Sequence, residues 1–360
     1  MINIPSDIKQ WINAKKIGFV STPSKIHHEH SFKLIRGASA AQFNNQAFLS
    51  LENDLYKNPV ESHSILLQDC FVYGCGFIVQ SQGEFIHQSR YLNPDVEPRI
   101  KNSLRSSPNE LDSHTVWICG CNASVRNYWH WHAQSLPAIL HCIDFIKSLG
   151  ITKYGIIVPK LTSWQKTSLD ALNLETNNII EVSIYETVFA KNLVMSELMY
   201  SASPYDASIY RKQVRDFILS SAKDSNTVFD VNKINISRKD SKRRPMLNED
   251  KLSKELELLG YTTLVMSELS YFEQVIAFNS AENIVCQHGA GTTNALFCER
   301  NASILELQLL NYPNSGPASL LKTNGATIYA DVFDDDGYGA ATLGWNADIN
   351  ICLETVSRMS

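Results

Sequence analysis

His288-Gly289-Ala290-Gly291-Thr292-Thr293-Asn294 follows an apolar run, Asn283-Ile284-Val285-Cys286, and leads into the helix-like Asn294-Ala295-Leu296-Phe297. A strand that passes into a helix through two glycines is a junction of an open α/β sheet. Glycines at 289 and 291 let a ligand approach the backbone, and the unpaired amides that begin the next helix point outward at the positive end of its dipole. The junction suits an anion such as a phosphate. The same kind of turn also serves merely to pack a helix closely, so the loop alone assigns no ligand. It lacks the third glycine of the dinucleotide fingerprint, no Lys-Ser or Lys-Thr follows it as in a P-loop, and it holds no Gly-x-Ser-x-Gly elbow.

Working outward, strand-like and helix-like runs alternate around this junction. Strand Lys233 to Ile236, helix Asn248 to Leu259, strand Thr262 to Val265 and helix Tyr271 to Phe278 precede it, and strand Ser303 to Leu307 follows. An earlier alternation runs through strand Val116 to Cys119, helix Tyr128 to Leu149, strand Gly155 to Val158, helix Trp164 to Leu172 and strand Ile179 to Val182. Each series predicts a parallel sheet flanked by helices. Short apolar runs broken by glycines between Ser64 and Tyr91 predict a β-meander before them. The expected architecture is α/β, with two Rossmann-like domains over 1–222 and 223–360 facing a central cleft. From Thr327 on, the acidic run Asp334-Asp335-Asp336 before Gly337 reads as a solvated turn, with a cation site as the alternative.

Composition narrows the classes of function. A chain of 360 residues suits two domains, and 44% hydrophobic with 19% charged residues is the balance of a folded protein. A net charge of −5 gives no signal for nucleic acid. No run approaches the roughly 18 apolar residues of a spanning helix, and Met1-Ile2-Asn3-Ile4-Pro5 does not start a signal peptide. The expected location is the cytosol, with peripheral association at the inner face of the membrane left open. Eight scattered cysteines (70, 75, 119, 121, 142, 286, 298, 352), without a CxxC pair, read as buried free thiols. The His27, His28 and His30 patch reads as a solvated loop.

Two further constellations carry chemistry. Ser237-Arg238-Lys239-Asp240-Ser241-Lys242-Arg243-Arg244 leaves the first strand of the second series, where arginines can reach the same carboxyl-end crevice as the 288 loop. An arginine fork matches a diphosphate. Arg238, Arg243 and Arg244 are the candidates, and Lys239 and Lys242 read as solvated. In the first series, Asn127-Tyr128-Trp129-His130-Trp131-His132-Ala133-Gln134 sits at a strand-to-helix transition. His130 and Gln134 are one turn apart on one face and His132 points elsewhere, so the two histidines cannot chelate one metal.

Together these residues resemble glycosyltransferase family 61. The resemblance rests on Asn-x-x-His-Trp at Asn127 to Trp131, Ser237-Arg238 with Arg-x-x-Leu-Asn-Glu at Arg244 to Glu249, His288 to Phe297, and Leu305-Glu306-Leu307, over about residues 116 to 310. It implies a GT-B fold, a nucleotide-sugar donor with a UDP-sugar as the first expectation, a glycan or glycolipid acceptor, inversion at the anomeric carbon, and no obligatory metal or cofactor. Bacterial members of the family serve capsular and other surface polysaccharides, and eukaryotic members serve protein O-glycans and plant xylans. Carried over, His288, Gly289, Ala290, Gly291, Thr293 and Asn294 with the arginines would hold the donor diphosphate. Glu306, read as lying just past a strand end, would accept hydrogen bonds from the ribose. The chain departs from the family where Gln134 replaces a common Asp or Glu. An amide cannot take a proton, so His130 becomes the expected general base, with His132 in reserve. The alternative is a non-catalytic nucleotide-sugar-binding or partner subunit. A Rossmann dehydrogenase lacks its fingerprint here.

Overall fold

The computed structural model describes residues 18–20, 33–41, 46–56, 62–81, 83–86, 89, 100, 107–176, 178–199, 209–334 and 344–359. Contacts divide the chain into two units, residues 1–26 with 60–214 and residues 27–59 with 215–360. Strand β1 (Gly18–Val20) lies in the first unit, whereas β2 (Lys33–Arg36) and helix α1 (Gln46–Leu55) lie in the second. The first unit continues with β3 (Ser64–Tyr73), β4 (Ile78–Ser81), β5 (Glu84–Phe85), β6 (Asn109–Glu110), β7 (Val116–Cys119), α2 (Leu136–Ser148), β8 (Tyr154–Pro159), α3 (Ser163–Asp170), β9 (Ile179–Val182) and β10 (Thr187–Ser196).

The described strands of this unit form one mixed sheet in the order β5-β4-β3-β10-β7-β8-β9, with β1 on β3 and β6 on β10. β7, β8 and β9 pair in parallel. Every residue of β7 and β8 is buried, as expected of strands covered on both faces. β10 is absent from the sequence reading and makes the sheet mixed, pairing antiparallel to β3 and parallel to β7. Its apolar run is split by Lys191 and Asn192, which hid the strand.

After α4 (Ile209–Asp224), the second unit runs β11 (Lys233–Ser237), α5 (Glu249–Leu258), β12 (Thr262–Val265), α6 (Tyr271–Ser280), β13 (Asn283–Gln287), β14 (Ser303–Leu309), β15 (Thr327–Phe333) and α7 (Ile349–Ser357). Helix α6 begins with a capping box, Ser270 and Glu273 bonding reciprocally to each other's backbone amides. The six strands are parallel in the order β12-β11-β13-β14-β15-β2. The chain steps from β11 outward to β12, then crosses to β13 on the other side of β11. That reversal is a topological switch point, where the connections leaving the carboxyl ends of β11 and β13 diverge and open a crevice. The loops at Arg238 and His288 leave those two ends.

The structure alters the sequence reading at one element and adds to it at two others. The element after the glycine junction is a 3-10 helix, Ala290–Phe297, in place of an α-helix. The stretch after Thr327 contains β15 and α7. Residues 33–36, far away in sequence, supply the sixth strand by pairing with β15. Asp335, Asp336 and the His27, His28 and His30 patch lie outside the described residues. Among the described residues no helix is long and apolar enough to cross a membrane.

Asp331 in β15 ties the remote segments together. Fully buried, its carboxylate accepts from the Ser39 amide (2.8 Å) and the Thr355 hydroxyl (2.5 Å). Ser39 Oγ in turn accepts from the Val332 amide. A β-carbon on Gly37 would lie 2.2 Å from Asp331 Oδ1, so only glycine fits beside the carboxylate. Burial pushes this carboxyl above its ordinary range. Replacing Asp331 with Ala strands a buried amide and a buried hydroxyl. Asp331→Ala is expected to lower unfolding free energy by about 3 kcal/mol in urea denaturation, and an unchanged midpoint would contradict this.

Candidate functional site

At the switch point the end of β11 and the end of β13 are locked by one side chain. Arg238 Nη1 donates to the His288 carbonyl (3.0 Å), while Nη2 donates to Ser241 Oγ (2.9 Å) and the Arg243 carbonyl (3.1 Å). The guanidinium occupies the space beside residue 289. A β-carbon there would lie 1.3 Å from Arg238 Nη1, so a side chain at 289 and the guanidinium in this position cannot coexist. Gly291 differs, because a β-carbon at that position would meet only ordinary contacts with Met266 and Ile236. Packing within the chain does not require glycine at 291. The amides of Ala290 and Gly291 begin the 3-10 helix, where no preceding carbonyl within the helix can accept from them. Ala290 is exposed and Gly291 half-buried.

The basic loop is shaped by the second half of its motif. Glu249, at the start of α5, accepts from Ser237 Oγ and the Arg238 amide. Asn248 pairs with both backbone groups of Ala347 (2.7 and 3.1 Å). Trp345 Nε1 donates to the Arg244 carbonyl (3.0 Å) and Leu247 N to the Trp345 carbonyl (2.8 Å). Held in this way, Arg244 adopts φ of 53°, a left-handed conformation costly for a side chain of its size. Its guanidinium lies over the Tyr312 ring at 4.8 Å. The Arg238 guanidinium falls below the ordinary arginine range, first through burial and next through the charge of Arg244. Among the described residues neither arginine has a carboxylate ion-pair partner, and the Nε atom of each is buried without an acceptor. Arg243 contributes its carbonyl while its side chain is exposed, and Lys239 pairs with Asp250.

Beside these arginines Arg244, Gln287, His288, Leu307, Leu309, Tyr312 and Trp345 line a small recess. Glu306 corrects the sequence reading in position, since it lies inside β14 with its side chain 1% exposed. It accepts from His288 Nδ1 (2.8 Å) and from Gln308 Nε2 (2.9 Å). A proton held on Nδ1 leaves Nε2 as the other face of the His288 ring. Thr293 is fully buried with no partner for its hydroxyl among the described residues, and Asn294 donates to Gln274. Tyr312, Trp345 and Gln287 were missed in the sequence. The first two carry no motif of their own, and Gln287 reads as the last residue of a strand.

In the first unit, Asn127 Oδ1 caps the turn Tyr128–His130 by accepting from the Trp129 amide (2.9 Å). The following Trp131–Ser135 is a π-helical segment, a form enriched at functional sites and invisible to a 3.6-residue periodicity. It keeps His130 and Gln134 on one face, with His130 Nδ1 2.8 Å from Gln134 Oε1. His130 is half-buried, and burial lowers its pKa against the opposing effect of the Gln134 bond. His132 is fully buried, donates to the Tyr128 carbonyl (2.8 Å) and stacks on Trp164, with burial lowering its pKa to about 4. The reserve base is therefore closed to solvent. All eight cysteines are free and seven are buried. Among the described residues no three His, Cys, Asp or Glu side chains group to hold a metal.

Both constellations fall inside, or directly beside, one matched segment. Residues 128–305 match the family model described as Glycosyltransferase 61, so the chain carries a transferase domain and the enzyme it forms is a glycosyltransferase. A comparison with curated proteins gives no match.

Gly289→Ala is expected to destabilise the second unit by more than 2 kcal/mol in urea unfolding, and by much less in an Arg238→Ala background, because the clash needs both groups. Additive effects would show that the guanidinium does not fill this space. A second outcome concerns pH. His132 and His141 have pKa values lowered by burial to about 4, below the unfolded value near 6.5. The unfolded chain binds more protons between these values, so their contribution is complete above pH 6.5 and is lost as pH falls toward 4. A stability that stayed flat across this window would contradict their burial as neutral imidazoles.

Proposed function

We propose that this glycosyltransferase is an inverting enzyme of GT-B type that uses a nucleotide-sugar donor, a UDP-sugar in the first instance, without a divalent metal. The observation that carries this reading is the pair of guanidiniums of Arg238 and Arg244, adjacent, partly desolvated and, among the described residues, without an ion-paired carboxylate, at the switch point of a parallel sheet. Such a pair has a cost unless an anion meets it. The Ala290 and Gly291 amides complete a cradle for a diphosphate. His288, held by Glu306, borders the same cradle. As the sugar leaves, negative charge gathers on the diphosphate, and fixed cations already in place stabilise it in the role that a divalent ion fills elsewhere.

In the first unit His130 takes the proton of the acceptor hydroxyl. The acceptor oxygen forms its bond to the anomeric carbon as the bond from that carbon to the phosphate oxygen breaks, and the electron pair departs with the nucleoside diphosphate. Displacement from the opposite side inverts the anomeric centre. The acceptor is a glycan or glycolipid, and the family resemblance suggests a bacterial surface polysaccharide reached at the inner face of the membrane.

Calorimetric titration with UDP is expected to show binding that Arg244→Ala weakens by about 1.5 to 3 kcal/mol, the range for hydrogen bonds to a charged group. Unchanged affinity would remove Arg244 from the site. Transfer from a panel of UDP-, GDP- and CMP-sugars is expected to persist in EDTA, and abolition with rescue by Mn²⁺ or Mg²⁺ would overturn the metal-free reading. His130→Ala is expected to lower turnover about 100-fold or more with donor affinity retained. Because burial lowers the His130 pKa, the base stays unprotonated to lower pH, and the acid limb of the turnover profile is expected below pH 6.5. A limb well above that value would point to another base. Donor binding without turnover under every condition would favour a non-catalytic partner subunit.

A further inference from the structure

The first-unit site contains a hydrogen-bond relay whose polarity can be worked out atom by atom. It begins at Asn122, fully buried just after β7. Asn122 Oδ1 faces the backbone amide of Ser124 at 2.9 Å, and an N–H can only donate, so the side-chain atom there is the oxygen. Asn122 Nδ2 faces the Met199 carbonyl at 2.7 Å, and a carbonyl can only accept. Two backbone groups therefore fix the orientation of this amide from opposite sides.

The same Nδ2 donates its second hydrogen to Gln134 at 2.9 Å, which requires the facing atom of Gln134 to be its oxygen, Oε1. That oxygen also lies 2.8 Å from His130 Nδ1. An amide oxygen cannot donate, so His130 carries its proton on Nδ1. In the neutral ring the lone pair is then on Nε2. Gln134 is 1% exposed, and the π-helical segment that contains it holds it on the face of His130.

We infer that Asn122 and Gln134 are positioning residues that lock His130 in the Nδ1–H tautomer and so make Nε2 its proton-accepting atom. The catalytic part of this inference rests on His130 being the base in the proposed function, whereas the tautomer does not. The relay also gives Gln134 a purpose. Its oxygen performs the orienting task that a carboxylate would perform, without placing a negative charge beside the imidazole. Asn122, twelve residues upstream of Gln134, supplies the polarity that an amide, unlike a carboxylate, cannot set for itself.

Two-bond ¹H–¹⁵N spectra of the full-length chain labelled with ¹⁵N-histidine report directly which ring nitrogen is protonated, with the His130 signal assigned by its loss in His130→Gln. The neutral wild-type ring is expected to show the Nδ1–H pattern. Gln134→Glu, which still offers an acceptor, is expected to retain it. Gln134→Leu removes the acceptor and is expected to populate Nε2–H and to lower kcat at least about tenfold while leaving UDP affinity unchanged, since a base in the wrong tautomer is ineffective. An Nε2–H pattern in the wild-type protein overturns the relay, and this result needs no variant to fold. An Nδ1–H pattern combined with full turnover of His130→Ala upholds the relay and overturns the assignment of His130 as the base.

Discussion

The second unit depends on one steric fact: the Arg238 guanidinium occupies the volume that a side chain at residue 289 would need. Desolvated there, the group places its terminal N–H donors on His288, Ser241 and Arg243, while its Nε has no acceptor among the described residues. Those three bonds curl the loop after β11 and draw it against the loop after β13. The crevice that strand order alone would open at the switch point becomes a cradle with a defined wall. Arg244 is brought alongside this wall and its charge opposes that of Arg238, and among the described residues neither guanidinium forms an ion pair, with Asp240 and Glu249 acting on Arg238 only from further off.

Seen in this way, the motif letters of the second unit divide into groups that face outward and groups that hold them. In the stretch Arg244 to Glu249, Glu249 secures Ser237 and Arg238, Asn248 secures Ala347, and Leu247 meets Trp345 through its backbone. Only Arg244 presents its charge, and it does so from a left-handed backbone that this packing sustains. Likewise Glu306, fully buried in β14, acts on the site through His288. Such support orders a charged site in the unliganded chain.

The sequence discloses what depends on local pattern. Strands Ile179–Val182 and Thr262–Val265 match to the residue, as does the placing of the glycine junction after β13. It conceals what is completed from afar. Asp331 reads as a polar interruption of an apolar run because its partners include Ser39, 292 residues away. Strand β2 belongs with β15 only through pairing that no short-range pattern reveals. Asn122 looks like a loop residue until Met199, 77 positions on, accepts from it. Residue type and strand-end position single out the two arginines and His130 in the sequence as candidates. The groups that orient them are not singled out, since amides and aromatics have many roles and only geometry separates one from another.

The central claim is that the two arginines and the glycine junction form one anion cradle. Hydrogen–deuterium exchange of the full-length chain with and without saturating UDP tests it most directly, because it locates the ligand without assuming a sugar or an acceptor. The account predicts slowed exchange in peptides covering Arg238 to Arg244 and His288 to Asn294 together, with both responses lost in Arg244→Ala at the same ligand concentration. Protection confined to other segments, or protection of one loop without the other, would contradict it.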